Sequence, residues 1–428
     1  MLLNTLNRKI NLTNYLSNFT FIEDYNLFEN VLQSKTQLEY IEINNQKIPK
    51  FINEFWTSKQ RQANSIHEIS YRACFKPQLP KFFIELLTNK NDIVYDPFNG
   101  RGTTVLEAAL LGRNFIANDI NPLSLVITKP RFYIPEIKKL EKRLDEIKFD
   151  YNLKSDLDLS MFYERRTEAE ILSLKNYSQY KKDLGKEDEL DQWIRMVATN
   201  RLTGHSKNFF SVYTLPPNQA ISPEKQRKIN EKRNQIPEYK DVKKIILKKS
   251  LDLIKDVKKE EIKNQLKQIA DNSLFLNKDA RYTYEIPDEI VQLTVTSPPF
   301  LDVVQYAQDN WLRCWFNDIN TDEIANKITM TKSVKEWCNF IYDVFKQLFR
   351  ITKKGGYVAF EVGEVRNGKV RLDELIVPIG LEVGFNCEGI IINKQEFTKT
   401  ANIWGVKNNQ KGTNTNRIVI FKKIFSKI

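Results

Sequence analysis

Two short stretches of the 428-residue sequence combine residue types that can do chemistry. The first is DPFNGRGTT, Asp96 to Thr104. An acid ends an apolar run, glycines follow at a spacing of two, and hydroxyl residues open a helix-like segment. Glycines after a strand let backbone approach a ligand and free the amides at the next helix N-terminus. A second acid, Asp119, closes the next apolar run, where a carboxylate can accept hydrogen bonds from ribose hydroxyls. The turn is GxG rather than GxGxxG, and no Walker lysine follows. That disfavours a dinucleotide or a nucleoside triphosphate. The two acids around this turn suit the nucleoside amino acid S-adenosylmethionine; the alternative is a tight turn that binds nothing.

The second stretch is TSPPF, Thr296 to Phe300, after the strand-like QLTV. Prolines stiffen the chain and cannot continue a central strand. They can aim the preceding carbonyls outward. Ser297 and the Pro298 carbonyl could then accept hydrogen bonds from an exocyclic amine, with Phe300 as a flat face for stacking a base. Taken alone, a proline turn over a buried Phe is the simpler reading.

The elements needed to position both stretches are legible. KFFIELL reads as an amphipathic helix, Ile93 to Asp96 as a strand, and GRGTTVLEAALLG as a turn and helix stopped by Gly112. Phe115 to Asp119 is the next strand, giving a βαβ unit. The alternation resumes at 273 with strands in SLFLNKDA and QLTVTSPP. Helices are expected at Val303 to Phe316 and Val334 to Ile351, the latter ended by KKGG. A strand YVAFEVGE, a helix from Asp373 to Gly384 and a hairpin of CEGIIINKQEF and NRIVIFKK complete the pattern. The fold class is α/β, a doubly wound Rossmann-like sheet with a large, mainly helical insertion. In such a sheet both stretches fall at strand carboxyl ends, on one edge.

Together the two motifs resemble the amino-group DNA methyltransferases, which methylate cytosine at N4 or adenine at N6. The family's cofactor motif is similar to Asp96–Thr104 with Asp119 downstream, and its catalytic motif to Ser297–Phe300. Lys278-Asp279-Ala280 stands where the family has Gly-Asp-Ser near the cofactor adenine. FKPQLP, Phe75 to Pro80, resembles the Lys-Pro segment beside the methionine end, and NDINP, Asn118 to Pro122, is also typical. The resemblance covers about 65–130 and 271–425. It implies a class I methyltransferase sheet, S-adenosyl-L-methionine as cofactor and double-stranded DNA as partner, and leaves room for a cognate restriction endonuclease. Carried over residue by residue, the catalytic set is Ser297, Pro298, Pro299 and Phe300. The cofactor set is Lys76, Asp96, Phe98, Asn99, Gly100, Gly102, Thr103, Asp119, Ile120, Asp279 and Ala280, with no metal. Ser-Pro-Pro favours cytosine N4; adenine N6, a non-catalytic DNA-recognition subunit and an RNA methyltransferase are the alternatives. No cysteine follows a proline, so C5 chemistry is disfavoured. Arg101 departs from the family, which has a small residue there.

The implied organisation is an N-terminal accessory segment (1–64), partly helical, then a cofactor-binding half (65–127). An inserted domain for target recognition (128–270) and a catalytic half (271–428) follow. The formal net charge is +12, which suits a polyanionic partner. Between Glu224 and Gln268 lie 15 Lys+Arg against 8 Asp+Glu, an excess of 7. Within it Lys243, Lys244, Lys248 and Lys249 are the expected phosphate contacts. Tyr306 is a candidate pocket residue, and Asn416 and Arg417 are candidate pocket or phosphate contacts. His67 and His205 read as structural rather than as bases. Four scattered cysteines without CxxC argue against a disulfide framework, and with no signal-like or membrane-length apolar run a cytoplasmic protein is expected.

Overall fold

Short runs of β-branched and aromatic residues, punctuated by Asn, Asp, Gly and Pro, set the strands of this chain. The computed structural model describes residues 11–24, 31–56, 63–72, 74–216, 219–299, 306–327, 333–365, 370–394 and 415–424. In chain order the strands are β1 (Thr20–Asp24), β2 (Val31–Lys35), β3 (Gln37–Ile43), β4 (Gln46–Asn53), β5 (Ile93–Asp96), β6 (Asn114–Asn118) and β7 (Leu274–Leu276). They continue with β8 (Val291–Thr296), β9 (Thr352–Val362), β10 (Glu364–Val365), β11 (Val370–Arg371), β12 (Asn386–Lys394) and β13 (Thr415–Lys422). Nine form one sheet in the order β3-β4-β12-β13-β9-β8-β5-β6-β7. All but β3 and β13 run the same way. The central strands are covered on both faces, so Val94, Leu293, Val295, Val358 and Ala359 are fully buried. Each Val or Leu so placed contributes roughly 1.5–3 kcal/mol.

Helices lie on both faces, as a doubly wound sheet requires. One face carries Gln78–Leu87 and Thr103–Leu110; the other carries Val334–Ile351 and Leu372–Val383. Val334–Ile351 shows why the sequence folds this way. The Ser333 hydroxyl caps it by accepting from the Glu336 amide. Trp337, Phe340, Ile341, Val344, Phe345 and Leu348 then recur at helical spacing and are buried. Phe345 meets Phe360 and Phe421 edge-on, at centroid distances of 5.0 and 5.3 Å.

Several expectations are corrected. Among its described residues the N-terminal segment has one short helix, Leu12–Ser17, and is otherwise mostly strand. Asn44 and Asn45 turn β3 into β4 at φ 50° and 59°, the positive pair a two-residue hairpin demands. β4 then joins the main sheet parallel to β12. KKGG does not end a helix: β9 begins at Thr352, immediately after Ile351, and runs through it. The helix expected over Val303 to Phe316 is broken at Asn310 into Tyr306–Asp309 and Trp311–Phe316; residues 303–305 lie outside the described residues.

The insertion enters between β6 and β7, and its longer elements are helices, among them Arg165–Asp183, Glu189–Arg201, Val242–Ile254 and Glu260–Asp271. It shares its core with the sheet: Trp193, Ile194, Met196 and Val197 belong to the same apolar cluster as Val94 and Leu293. It is also tied to the segment after the Ser-Pro-Pro motif. The Ala220 amide donates to the Asp309 carbonyl at 2.8 Å, and the Trp311 indole to the Ile221 carbonyl at 3.1 Å.

The four expected phosphate lysines are not equivalent. Val242, Ile246, Ser250 and Leu253 form the buried stripe of their helix, and Lys249 falls on it. Its ammonium is 3.5 Å from Glu68, and burial, then nearby Arg201, pushes its pKa down to about 8. Lys243 donates to the Ile147 carbonyl at 2.7 Å and covers the Phe149 ring. Only Lys244 and Lys248 of the four are exposed.

Candidate active site

β5, β6 and β8 are parallel neighbours, so their carboxyl ends open on one edge. A cleft there is lined by Asp96, Phe98, Asn99, Gly100, Thr103, Asp119, Ile120, Asp279, Ala280, Ser297 and Pro299. Both motifs therefore meet in one cavity. Tyr71, Cys74, Phe75, Pro97, Asn121, Lys278 and Phe340 complete its wall. Of the remaining expected residues, Lys76 is half-buried beside Arg101 and is not on that wall. Gly102 and Pro298 are not on it either; both are buried. Phe300 lies outside the described residues, as does the Tyr306 side chain.

The glycine turn is built by its own side chains. The Asp119 carboxylate accepts from the Gly100 amide at 2.7 Å and the Asn121 amide at 2.9 Å. Gly100 and Gly102 have φ of +51° and +77°, and a Cβ on Gly102 would meet the Thr128 methyl at 2.5 Å. The Asn99 amide group donates to Ser124 and Thr128. The buried Asn118 side chain donates to the carbonyls of Pro97 and Lys278 and accepts from the Lys278 amide. It joins the glycine turn to the loop after β7. Arg101, where a small residue was expected, is buried and donates to Thr103 and to the carbonyls of Ile69 and Phe75. It holds the segment bearing Tyr71, Cys74 and Phe75 against the turn.

The electrostatics are those of acids in a desolvated cleft. Burial pushes the Asp96 carboxyl up to about 7, against hydrogen bonds from Thr296 and the Phe98 amide; the nearby Asp119 charge adds to the rise. Asp119 is pushed up to about 6, again by burial. Asp279 lines the cleft, but its carboxylate is gripped by the Arg281 guanidinium at 2.7–3.2 Å. Cys74 is no thiolate nucleophile, because burial raises its pKa. His67 is buried on Glu107 at 2.6 Å, with its pKa lowered chiefly by burial.

The catalytic strand is fixed on three sides. The Thr296 hydroxyl donates to Asp96 at 2.6 Å, joining the two motifs directly. The Trp337 indole donates to the Pro299 carbonyl at 2.9 Å. The Ser297 hydroxyl is hydrogen-bonded to the buried Glu361. With its proton engaged there, the oxygen of Ser297 is left to accept from a ligand. Sequence reasoning missed Glu361, Trp337, Phe340 and Asn118. The available signal for Glu361 was a lone charge inside the apolar run YVAFEV; the others look like ordinary core residues. Asn416 reaches Glu361 at 2.8 Å, whereas Arg417 turns to the other face of the sheet and pairs with buried Asp373 at 2.8 Å. That pairing removes Arg417 as a phosphate contact.

The strand order and the cleft at the carboxyl ends of β5, β6 and β8 define a Rossmann-like class I methyltransferase sheet, extended at one edge by β3 and β4. Residues 11–129 match the N6/N4 methyltransferase family model, described as DNA methylase. The Type II methyltransferase M.MvaI of Kocuria varians is 28% identical over 279 residues, 59% of this chain and 57% of that protein. M.MjaII of Methanocaldococcus jannaschii is 35% identical over 88 residues, 20% of this chain and 17% of that protein. M.BsoBI of Geobacillus stearothermophilus is 40% identical over 93 residues, covering 20% and 18%. The chain thus aligns with little more than half of the first of these and under a fifth of the others. Among solved structures, the rRNA methyltransferase aviRa of Streptomyces viridochromogenes aligns over 86% of this chain and 94% of its own at 8% identity, with a TM-score of 0.33. Residues 11–129 are thus similar to the N6/N4 DNA methylases, and a longer stretch of the chain to a Type II methyltransferase. Among the described residues, no helix is long and apolar enough to cross a membrane.

Proposed function

We propose that this chain is a site-specific DNA methyltransferase. It moves the methyl group of S-adenosyl-L-methionine to the exocyclic N4 amine of a cytosine flipped out of duplex DNA, within a restriction-modification system. The observation that carries this reading is the single cleft shared by Ser297, Asp96, Gly100 and Asp119, with Thr296 bonded to Asp96 across adjacent strands. The cleft fits the cofactor chemically. Asp119 has lone pairs left for ribose hydroxyls beyond the two backbone amides it accepts. Asp96 offers negative charge for an ammonium, and Phe98, Ile120, Ala280 and Phe340 offer apolar surface for a purine. When bound, the cofactor supplies a methyl group activated by a sulfonium.

The chain's own residues do the rest. Ser297 and the Pro298 carbonyl accept the amine's hydrogens and aim its lone pair, a gain in orientation and in stabilising developing positive charge. Trp337 donates to the Pro299 carbonyl and fixes the direction in which it points. Phe300 stacks on the extruded base, since a base inside a duplex is out of reach. The insertion 128–270 reads the target sequence, with Lys244 and Lys248 among its phosphate contacts. The Ser-Pro-Pro order supports cytosine N4 over adenine N6. Mass spectrometry of nucleosides from DNA treated with the pure protein tests this: N4-methylcytosine is expected. N6-methyladenine alone would overturn the target but keep the class, and no methylated base on any DNA would overturn the activity.

A further inference from the structure

Next to Ser297 of the cleft lies an acid that the proposed reaction does not use. Glu361 sits at the carboxyl end of β9, and β9 is the parallel neighbour of β8, with Thr296 opposite Phe360. Side chains alternate along a strand. Val295 and Ser297 therefore share a face with Ala359 and Glu361, and across β13 the same face carries Ile418 and Asn416. Ser297, Glu361 and Asn416 thus form one row across three adjacent strands. Glu361 is 8% exposed, hydrogen-bonded to the Ser297 hydroxyl and, at 2.8 Å, to the Asn416 amide group.

An acid placed there invites a function because methylation of an amine releases a proton. We propose that Glu361 accepts, through the Ser297 hydroxyl, the proton that the target amine loses on methylation. The proposal rests on the methyltransferase reading given above. The balance is complete. The amine nitrogen forms its bond to the methyl carbon as the carbon–sulfur bond breaks, its electron pair leaving on sulfur. The nitrogen then gives one proton to the Ser297 oxygen and keeps the bonding pair. The Ser297 proton moves to the Glu361 carboxylate, so serine ends neutral and Glu361 ends as a carboxylic acid. After product leaves, Glu361 returns that proton to solvent. Glu361 acts through Ser297 and never touches the base; it is a positioning and relay residue.

The surroundings suit the task. Burial pushes the Glu361 carboxyl up, making it a better proton acceptor than a surface carboxylate, while Ser297 and Asn416 favour its charged form. Among the described residues no charged side chain acts on it. On β13 the neighbouring Arg417 faces away and is paired with Asp373. On β8 Thr296 is bonded to Asp96. The helix Val334–Ile351 packs on the opposite face; the face that carries Glu361 is the one covered by the apolar side chains of Gln78–Leu87 and Thr103–Leu110.

The test is Glu361→Gln in the full chain, with initial rates of DNA methylation from pH 5.5 to 9 at saturating cofactor. Saturation keeps Asp96 and Asp119, which face the cofactor, from setting the profile. For wild type, kcat should rise with pH as Glu361 loses its proton, then level off. Glu361→Gln should lower the plateau about 10²-fold, the usual size of a general-base contribution, and abolish the acidic limb. Cofactor Kd and DNA KM should stay within about threefold, since neither ligand touches Glu361. Glu361→Asp should recover part of the rate and restore a limb. Adding Ser297→Ala to Glu361→Gln should cost little beyond the larger single effect, because the two act as a unit. A variant that keeps kcat within twofold, or keeps the acidic limb, overturns the relay while leaving the methyltransferase reading intact. Wild-type protein that methylates no DNA overturns that reading and the relay together.

Discussion

Replacing Asp96 by asparagine should make the protein more stable in neutral and mildly alkaline solution. The carboxyl is 2% exposed and titrates near 7, where its ordinary value is 3.8. The native state therefore holds the proton more tightly than the unfolded chain does. Stability falls as pH rises from about 4 to about 7, and the full cost stays above that. At about 1.4 kcal/mol per pKa unit the cost is on the order of 4 kcal/mol at pH 8, about 1.5 at pH 5, about 0.5 at pH 4 and near zero at pH 3. Asparagine keeps the oxygen that accepts from the Thr296 hydroxyl at 2.6 Å and the Phe98 amide at 3.1 Å. Its new amide group can donate to the Thr104 hydroxyl, whose own proton goes to the Val295 carbonyl. Thermal unfolding without cofactor, at pH 4.5 and pH 8, is the assay. Asp96→Asn should gain roughly 2–4 kcal/mol at pH 8, about 1–2 °C in Tm per kcal/mol for a chain of this length, and no more than about 1 kcal/mol at pH 4.5. The same variant should bind S-adenosylmethionine more weakly, because the lost charge faces the cofactor cleft. Equal gains at both pH values, or a loss at pH 8, would refute the assignment of a buried, ionised Asp96.

Other outcomes follow from the same geometry. Asp119→Ala should weaken cofactor binding by about 2–3 kcal/mol in calorimetry, the scale of hydrogen bonds to a charged group; unchanged affinity in a folded variant would remove Asp119 from the ribose site. Trp337→Phe leaves the Pro299 carbonyl without its donor, a loss of about 1–3 kcal/mol. It should appear as slower turnover with cofactor affinity retained. Neutralising Lys244 and Lys248 together should flatten the salt dependence of DNA binding by up to about 2 units, and Lys249→Gln should leave that slope unchanged while lowering Tm. Identical slopes in wild type and the double variant would place the DNA surface elsewhere.

The parts legible in sequence are those whose signals are local. The limits of β5 and of Val334–Ile351 match the structure because acids, caps and helical periodicity mark them within a few residues. The cleft was legible because two motifs at strand ends converge in any doubly wound sheet. What escaped depends on partners far away in the chain. β3 is an edge strand with mostly exposed side chains, so it lacks the alternation that announces a strand, and β4 has its partner β12 near the other end. Lys249 looked like one of a solvated row until the helical stripe placed it inside. Glu361 became visible only when β8 and β13 lay on either side of it.

The docking of β4 on β12 also constrains how the chain can reach this fold. The Phe55 amide donates to the Asn393 side chain, and the two residues are 338 positions apart. Pairing this distant must close a very long loop before any contact repays it, and such contacts slow folding. During synthesis the β3–β4 hairpin emerges hundreds of residues before its partner strand, with one edge of β4 unpaired. An open strand edge is a template for pairing with other chains. The hairpin should therefore be the last part of the sheet to dock and the first to lift, and strand exchange between copies is the expected failure when the C-terminal strands are delayed or destabilised.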